Sequence, residues 1–258
     1  MDEAEANNLD MKAKDARLKR WVTCSLCEQE YHGVVMCALG WACWKTHVGR
    51  PETNWTRRNA ITMLGTGLSE ASYHEESLAV QEAELAMERR LGALEEDVLS
   101  VQGNIACAYE KLGRNEDALR LRRIVYSGQL KINGEEHGQT LLAVCNCAAS
   151  FIRLKRFEQA KSLLRRQIPV ARRVLGENEQ TTLRMNWIYA HSLYIDDSAT
   201  LDDLREAVTA LEDLERTARR VFGGQHPLTM GLENNLRGAR AALAARETTP
   251  SPPPSESV

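Results

Sequence analysis

Two adjacent stretches of equal length decide the fold: "SVQGNIACAYEKLGRNEDALRLRRIVYSGQLKINGEEHGQTL" (100–141) and "LAVCNCAASFIRLKRFEQAKSLLRRQIPVARRVLGENEQTTL" (142–183). They align over 42 residues without a gap. Matched positions carry an amide, a small residue, an aromatic ring and a closing glycine, in the pairs Asn104/Asn146, Ala106/Ala148, Tyr109/Phe151 and Gly134/Gly176. Self-similarity at a fixed period indicates an array of one supersecondary unit.

The repeat extends in both directions from this pair. A weaker copy covers 58–99, and a later copy covers 184–230 with about five extra residues around "DDSAT". A capping helix is predicted over 231–247. Each copy has small and apolar residues at helical spacing on both sides of a short turn, which predicts two helices. One hairpin cannot bury its apolar face alone, so stacked neighbours share a core. The sequence therefore predicts an all-α array over 58–247.

These features resemble the tetratricopeptide repeat (TPR), most closely the kinesin light chain type. The resemblance rests on the 42-residue period, the Asn-Ile-Ala or Asn-Cys-Ala before an aromatic residue, and the closing "LGE" loop. It implies a right-handed superhelical solenoid whose first helices line a concave groove for extended peptides. Kinesin light chains also have a long heptad coiled coil that joins the motor. The 20 residues before Trp21 lack sustained heptads, so the sequence does not predict a kinesin heavy chain partner.

Matching faces of the first helices supply the predicted groove residues. In the order of the copies they are Asn104 and Lys111, then Asn146 and Arg153, then Arg184, Trp187, His191 and Tyr194. The resemblance implies that the two asparagines hold the backbone of a bound peptide. An amide suits this role because it both donates and accepts hydrogen bonds. The alternative is that both asparagines bond across neighbouring helices.

The middle of the chain is basic, although the net charge is −3. Between Arg114 and Arg173 there are 13 Lys or Arg against 5 Asp or Glu. A weakly basic groove accepting a partly acidic peptide is the resulting hypothesis. Most of the basic residues fall on second helices and are predicted to be solvated on the outer face. These are Arg120, Arg122, Arg123, Lys161, Arg165 and Arg166.

A different kind of segment precedes the array, over 21–50. Cys24, Cys27, His32 and Cys37 have the C-x2-C-x4-H-x4-C spacing of a zinc knuckle. Cys43 and His47 are alternative partners for the first two cysteines, in a spacing that resembles a C2H2-type finger with a Cys replacement. Resemblance to a MYND-type finger is partial. With four protein ligands a Zn²⁺ ion would be structural. The alternative is a degenerate finger whose thiols and tryptophans pack on the first repeat.

The ends and the remaining motifs complete the prediction. Residues 1–20 are predicted to extend as an exposed charged helix, and the Pro- and Ser-rich residues 248–258 as a disordered tail. The acidic start lacks an apolar core and no run suits a membrane span, so a cytoplasmic protein is expected, with the nucleus as the alternative. No P-loop, GxGxxG, GxSxG or HExxH motif occurs, so no enzyme is predicted.

The function predicted from the sequence is a non-catalytic adaptor or scaffold that binds extended peptides. The alternative is a zinc-finger nucleic-acid-binding protein that uses the repeats for assembly. Basic residues near the cysteines are scattered and offset by Glu28, Glu30 and Glu52. Phosphate binding needs a denser basic patch, so this charge pattern argues against nucleic acid.

Overall fold

A computed structural model describes residues 19, 21–24 and 26–248 of the protein. The described part of the chain forms ten helices, and its β contact is an isolated bridge between Thr23 and Glu30. In chain order the helices are α1 (Gly33–His47), α2 (Trp55–Glu70), α3 (His74–Arg90), α4 (Glu95–Lys111), α5 (Asn115–Asn133), α6 (Gly138–Arg153), α7 (Phe157–Leu175), α8 (Gln180–Tyr194), α9 (Leu201–Phe222) and α10 (Pro227–Thr248). The all-α prediction is confirmed for these residues.

The chain divides inside α5 into two compact units, unit 1 (residues 1–121) and unit 2 (residues 122–258). In unit 1, each of α1, α2 and α3 packs against the helix that follows it. In unit 2, α6 to α10 do the same, and the first helices α6, α8 and α10 also contact one another in turn. This second kind of contact is what a repeat array requires, because it lets successive hairpins share one core.

Glycines end the second helices at the positions that the repeat predicts. Gly176 and Gly223 follow the last residues of α7 and α9, with φ of +99° and +86°. Gly134 follows α5 with φ of +78°. Residues with a side chain rarely adopt positive φ, so these glycines end the helices at a defined place. The recurring glycine is therefore a helix stop.

Side-chain caps fix the beginnings of several helices. Asn54 accepts hydrogen bonds from the amides of Thr56 and Arg57 at the start of α2. Thr200 and Asp203 form a reciprocal capping box at the start of α9. Capping satisfies amides that have no partner inside the helix. The capping box closes the loop that contains the extra residues of the last repeat, so the longer copy still begins its second helix at a fixed position.

Alanines bring the helices close together in both units. The repeated alanines at the helix crossings are all buried, namely Ala106, Ala118, Ala148, Ala160, Ala190 and Ala207. Larger apolar side chains fill the space between them. In unit 2, for example, Leu164 and Met185 belong to one core cluster and Leu211 and Leu232 to another. The small residues that recur in the sequence are therefore core residues of the array.

Glycines make the contact between α1 and α2 closer still. A Cβ added to Gly67 would lie 2.7 Å from the Met36 carbonyl oxygen and 2.9 Å from the Cys37 Cα. A Cβ added to Gly40 would lie 2.8 Å from the Met63 carbonyl oxygen. The two backbones therefore touch where these helices cross, and no larger residue fits there without a shift.

The structure corrects two predictions. Arg122 and Lys161, which were expected on a solvated outer face, are each only 7% exposed. Arg120, Arg123, Arg165 and Arg166 are exposed as predicted. The capping helix begins at Pro227, four residues before the predicted start at 231, because proline is well suited to a first helical position.

The predicted terminal segments lie largely outside the described residues. Of 1–20, only Lys19 is described, and of 248–258 only Thr248. Among the described helices, none is both long enough and apolar enough to cross a membrane.

Candidate functional site

The predicted groove residues fall on the first helices, as the repeat requires. Asn104 and Lys111 lie on α4 in unit 1, Asn146 and Arg153 on α6 in unit 2, and the remaining four on α8. Lys111, Arg153 and Arg184 are exposed, whereas the other five are half-buried. Each unit presents its own surface.

Unit 1 contains a groove of about 350 Å³ between α2 and α4, with α3 as its floor. Trp55, Arg58 and Asn59 line it from α2, and Asp97 and Asn104 from α4. The volume is within the range of small-ligand sites in proteins. The predicted clamp residue Asn104 thus lies in a real depression of the surface.

An ion-pair network occupies part of this groove. The Arg58 guanidinium donates to both carboxylate oxygens of Glu88, at 2.8 Å from Nε and 2.5 Å from Nη2. Nη2 also lies 3.3 Å from Asp97 Oδ2. Glu88 is 4% exposed, and its two-point hydrogen bond raises the pKa of Arg58. A paired guanidinium of this kind fixes α2 against α3 and α4.

Glu84 lies one turn before Glu88 and is buried without a full set of partners. It is 2% exposed and lines the groove from below. The Thr62 hydroxyl donates to Oε1, but Oε2 has no hydrogen-bond partner among the described residues. Burial raises the pKa of Glu84 to about 7, because a low-dielectric environment disfavours the charged form. Sequence analysis missed Glu84, because its burial depends on contact with α2, which the spacing of residues within α3 does not show.

The amides of Asn104 and Asn146 make no hydrogen bond to the described residues, and both side chains are half-buried. The backbone carbonyl of Asn146, by contrast, accepts from Arg122 Nη1 at 2.9 Å. The same nitrogen lies 2.9 Å from the Ser150 hydroxyl oxygen. Arg122 thus connects α5 to the backbone of α6 at Asn146 without using the Asn146 side-chain amide.

The aromatic residues of α8 lie in the seam between α8 and α10. The Trp187 ring packs on Gly231, where an added Cβ would come within 2.4 Å of the ring. The Tyr194 hydroxyl donates to Asn235 Oδ1 at 3.0 Å, and burial raises its pKa to about 12. The His191 ring contacts that of Tyr194 at 5.3 Å between centroids, and burial lowers the pKa of His191. These rings therefore hold α10 and offer only their exposed parts to a ligand.

Unit 2 has a second depression, which sequence analysis did not predict. It measures about 450 Å³ and lies among α7, α8 and α9. The Tyr189 hydroxyl oxygen lies 3.1 Å from Arg165 Nε and 3.2 Å from Glu206 Oε1. Arg172 donates to Asn186 Oδ1 at 2.9 Å. These bonds already connect the three helices, so the polar groups of this depression act chiefly within the fold.

Before α1, Cys24 and Cys27 lie at a tight turn. The Cys24 amide donates to the Gln29 carbonyl at 2.8 Å, and the Glu28 amide to the Cys24 carbonyl at 2.9 Å. Hydrogen bonds from the backbone at Cys27 and Leu26 lower the pKa of Cys24 to about 7. A thiolate stabilised in this way is a suitable zinc ligand.

The other proposed ligands do not join these two cysteines. His32 is exposed, with Nδ1 3.8 Å from Glu70. Cys37 and Cys43 are buried in apolar clusters against α2, and burial raises the pKa of Cys43 to about 11. In the part of the chain that is described, no three His, Cys, Asp or Glu side chains gather in a metal-binding arrangement. Of the predicted ligands, the described structure places Cys24 and Cys27 together at one turn and does not add His32, Cys37, Cys43 or His47 to them.

Comparison with known proteins shows the class of fold. No family profile matches the sequence, and no curated protein matches it either. Among solved structures, a candidate kinesin light chain of Podosopora anserina with nearly identical TPR-like repeats has a TM-score of 0.60 at 20% identity, over 74% of this chain and 88% of that one. BtubC (BKLC) from P. vanneervenii has a TM-score of 0.57 at 15% identity, over 86% and 93%.

A third solved structure is similar over much of the chain. It is a Rap protein in complex with competence and sporulation factor, with a TM-score of 0.51 at 15% identity, over 82% of this chain and 59% of that one. At such low identities the similarity concerns the fold alone. This chain is thus a TPR-like helical-repeat protein, and its repeats are similar in structure to those of kinesin light chain-type proteins.

Proposed function

We propose that the protein is a non-catalytic adaptor that binds extended peptide segments of partner proteins on the first helices of its repeats. The observation that carries this proposal is the state of Asn104 and Asn146. They occupy matching repeat positions, both are half-buried, and neither amide bonds to the described residues. A half-buried amide at this position of each unit suits an extended backbone, because the amide can pair with both the C=O and the N–H groups of a peptide.

The similarity to the Rap protein structure supports the same idea, because that protein was solved with a bound factor on a related fold. Function does not follow from fold, so this support is only an analogy. The absence of a catalytic motif in the sequence agrees with a binding role. His191, the one histidine of the proposed groove, packs against the ring of Tyr194.

The proposed preference for acidic peptides belongs to unit 2. Arg153 is exposed on α6, the helix that carries the half-buried Asn146, and Arg184 is exposed on α8. Lys111 on α4 is exposed in unit 1. Exposed cations of this kind mainly increase the rate at which an acidic segment associates, and they contribute modestly to affinity.

The zinc proposal reduces to the Cys24 and Cys27 pair. It predicts metal-dependent protection of these two thiols from alkylation at neutral pH, measured by mass spectrometry with and without a chelator. Cys43, buried in its apolar cluster, serves as the unreactive internal reference. Equal alkylation of Cys24 and Cys27 in both conditions would exclude zinc and leave a degenerate finger that packs on the first repeat.

The adaptor proposal is tested by selecting ligands from a display library of short linear peptides. The affinity of each selected peptide is then measured by calorimetry for the wild type, Asn104→Ala and Asn146→Ala. Loss of one peptide hydrogen bond is expected to weaken binding by about five- to tenfold. Asn234→Ala is the matched control, because Asn234 is exposed on α10 away from the proposed face.

Two results would overturn the proposal. One is a selection that yields no peptide, and the other is peptide affinity that neither asparagine variant changes. A parallel titration with single-stranded and double-stranded DNA and RNA tests the nucleic-acid alternative. Tight nucleic-acid binding that Asn104→Ala and Asn146→Ala leave unchanged would favour that alternative.

A further inference from the structure

The groove of unit 1 is acidic, in contrast to the basic surroundings of Asn146. Its charged lining consists of Arg58 and three carboxylates, those of Glu84, Glu88 and Asp97. The guanidinium of Arg58 is already engaged by Glu88 and Asp97. Since one cation faces three acids, the groove carries an excess of negative charge that the residues lining it do not balance.

The carboxylate of Glu84 is the part of this groove that the fold leaves incomplete. Glu84 is 2% exposed, and its Oε2 has no hydrogen-bond partner among the described residues. Buried polar atoms are nearly always hydrogen-bonded, so an unpartnered one calls for a specific reason. The hydrogen bond that Glu84 accepts from the Thr62 hydroxyl goes to the other carboxylate oxygen, Oε1. The described residues therefore supply no donor to Oε2.

Other groups around Glu84 suit a cationic ligand. Trp55 offers an aromatic ring, and Asn59 and Asn104 offer amide oxygens. Ammonium and guanidinium groups bind to aromatic faces and donate to carboxylate and amide oxygens. Oε2 lies just below the groove surface, and the terminal torsion of a glutamate is broad. A small rotation therefore turns this oxygen towards an entering donor.

We propose that the unit 1 groove binds a lysine or arginine side chain of a peptide ligand, with the Glu84 carboxylate as its counter-ion and Asn104 holding the adjacent backbone. This inference rests on the proposed peptide-binding function and specifies its ligand in unit 1. The ligand supplies the donor that Oε2 lacks and the positive charge that the groove lacks.

The proposal implies that binding depends on pH. Burial raises the pKa of Glu84 to about 7. Glu88 on α3 acts in the same direction, and Arg58 on α2 opposes it; Asp97 lines the groove from α4. A bound cation favours the ionised carboxylate, so binding releases a proton below neutral pH. Affinity for the cation should therefore rise as the pH rises from about 6 to about 8.

The test uses small probes and the intact chain of 258 residues. Nα-acetyl-lysine amide is titrated into the isotope-labelled protein, and the NMR signals of the Trp55 indole and the Asn104 carboxamide are followed. Nα-acetyl-norleucine amide is the uncharged control, and Nα-acetyl-glutamate amide is the control of opposite charge. We expect saturable shifts with the lysine probe alone, and affinity at least about tenfold lower in Glu84→Gln. Glu76→Gln, an exposed acid on the same helix, should bind as the wild type does.

The outcomes separate this inference from the proposed function. Norleucine binding as strong as lysine binding would overturn the inference, as would lysine binding that is unchanged in Glu84→Gln or absent from the wild type. A backbone spectrum of Glu84→Gln that matches the wild type excludes loss of the fold as the cause. If selected peptides still require Asn146 after the lysine probe has failed, only the inference fails; if no selected peptide depends on either asparagine, the proposed function fails as well.

Discussion

Units 1 and 2 both bury charged side chains in second helices, and the fold provides hydrogen-bond partners for Arg122 of unit 2 but not fully for Glu84 of unit 1. In unit 2, Arg122 is 7% exposed and donates to the Asn146 carbonyl and to Ser150. In unit 1, Glu84 is 2% exposed and keeps one oxygen without a partner. The hydrogen bonds of Arg122 connect α5 and α6. The Glu84 carboxylate, by contrast, lines the unit 1 groove with one oxygen that has no donor among the described residues.

The matching positions of α7 are Leu164 and Gln167, counted from the positive-φ residues Ser72, Gly113 and Lys155 in the turns before α3, α5 and α7. Both are fully buried, and the Gln167 amide donates to Glu135 at 2.5 Å. The copies of the repeat therefore differ in what they bury at these positions, and the hydrogen bonds of a buried charge decide whether it acts in structure or in binding. We therefore interpret a buried charge whose hydrogen bonds are made within the fold as structural. A buried charge with an unpartnered atom is interpreted as part of a candidate binding site.

The largest change in the free energy of unfolding is expected when Arg122, the hydrogen-bonded buried charge, is replaced. Arg122→Ala leaves the Asn146 carbonyl and Ser150 without their donor and opens a cavity, so the free energy of unfolding should fall by about 3 kcal/mol. Urea denaturation followed by circular dichroism measures this. Arg120→Ala, on the exposed face of the same helix, should cost less than about 1 kcal/mol. An equal loss of unfolding free energy in the two variants would contradict the structural role of Arg122.

A second contrast between the units concerns glycine contacts. The atoms that face Gly67 in unit 1 belong to the backbone of α1, whereas Gly231 in unit 2 faces the ring of Trp187. The backbone of α1 cannot move without distorting that helix, whereas the Trp187 ring can rotate about its side-chain torsions. Gly67→Ala should therefore destabilise the protein by about 2–3 kcal/mol and Gly231→Ala by less, as measured by denaturation. The reverse order would contradict the close backbone contact between α1 and α2.

Removal of the Glu84 charge should stabilise the protein, but only at high pH. Because the pKa of Glu84 is raised from 4.5 to about 7, the folded chain binds this proton more tightly than the unfolded chain does. The contribution of Glu84 to stability is therefore present below pH 4.5 and is lost as the pH rises to about 7. Glu84→Gln should be more stable than the wild type by about 2 kcal/mol at pH 8 and nearly equal to it at pH 4.

The pH series of the difference between the two proteins is the decisive measurement, because other acids titrate equally in both. Asp196 and Asp203, for example, have lowered pKa values owing to their hydrogen bonds with Ser198 and Thr200. Their effect on stability has the opposite sign and cancels in the difference. A difference that does not vary with pH would mean that Glu84 is not buried as a titrating acid.

The smallest change in the free energy of unfolding is expected at Gly103, a helix position with space for a side chain. Gly103 lies inside α4, and no atom lies within 4 Å of an added Cβ. Gly103→Ala should raise the free energy of unfolding by about 0.5–1 kcal/mol, since alanine loses less conformational entropy in a helix. This variant is the control for Gly67→Ala. A loss of stability would indicate a contact at Gly103 that the structure does not contain.

The repeat made most of the fold predictable from the sequence. The alignment of 100–141 with 142–183 placed the helix pairs, the buried alanines and the glycines that end second helices, because each depends on local spacing. The burial of Arg122 and Lys161 was not predictable in this way. It depends on partners supplied by other helices, such as the Asn146 carbonyl for Arg122 and Asp196 for Lys161.

The candidate site was predictable only in part. Helical spacing placed Asn104 and Asn146 on matching faces, because an array repeats its geometry with its sequence. The aromatic residues of α8 were assigned to an open groove, but packing against α10 occupies Trp187 and Tyr194. Cysteine spacing identified a tight turn at Cys24 and Cys27, but spacing alone could not show that Cys37 and Cys43 face α2.

The packing of Trp187 against Gly231 has a practical consequence for spectroscopy. The chain has five tryptophans, and four of them, Trp21, Trp41, Trp44 and Trp55, belong to unit 1. Trp187 is therefore the single tryptophan of unit 2, and its indole lies in the seam between α8 and α10. Subtracting the emission of a Trp187→Phe variant from that of the wild type isolates unit 2, while the variant itself reports on unit 1. The protein thus carries separate optical probes for its two halves without any added label.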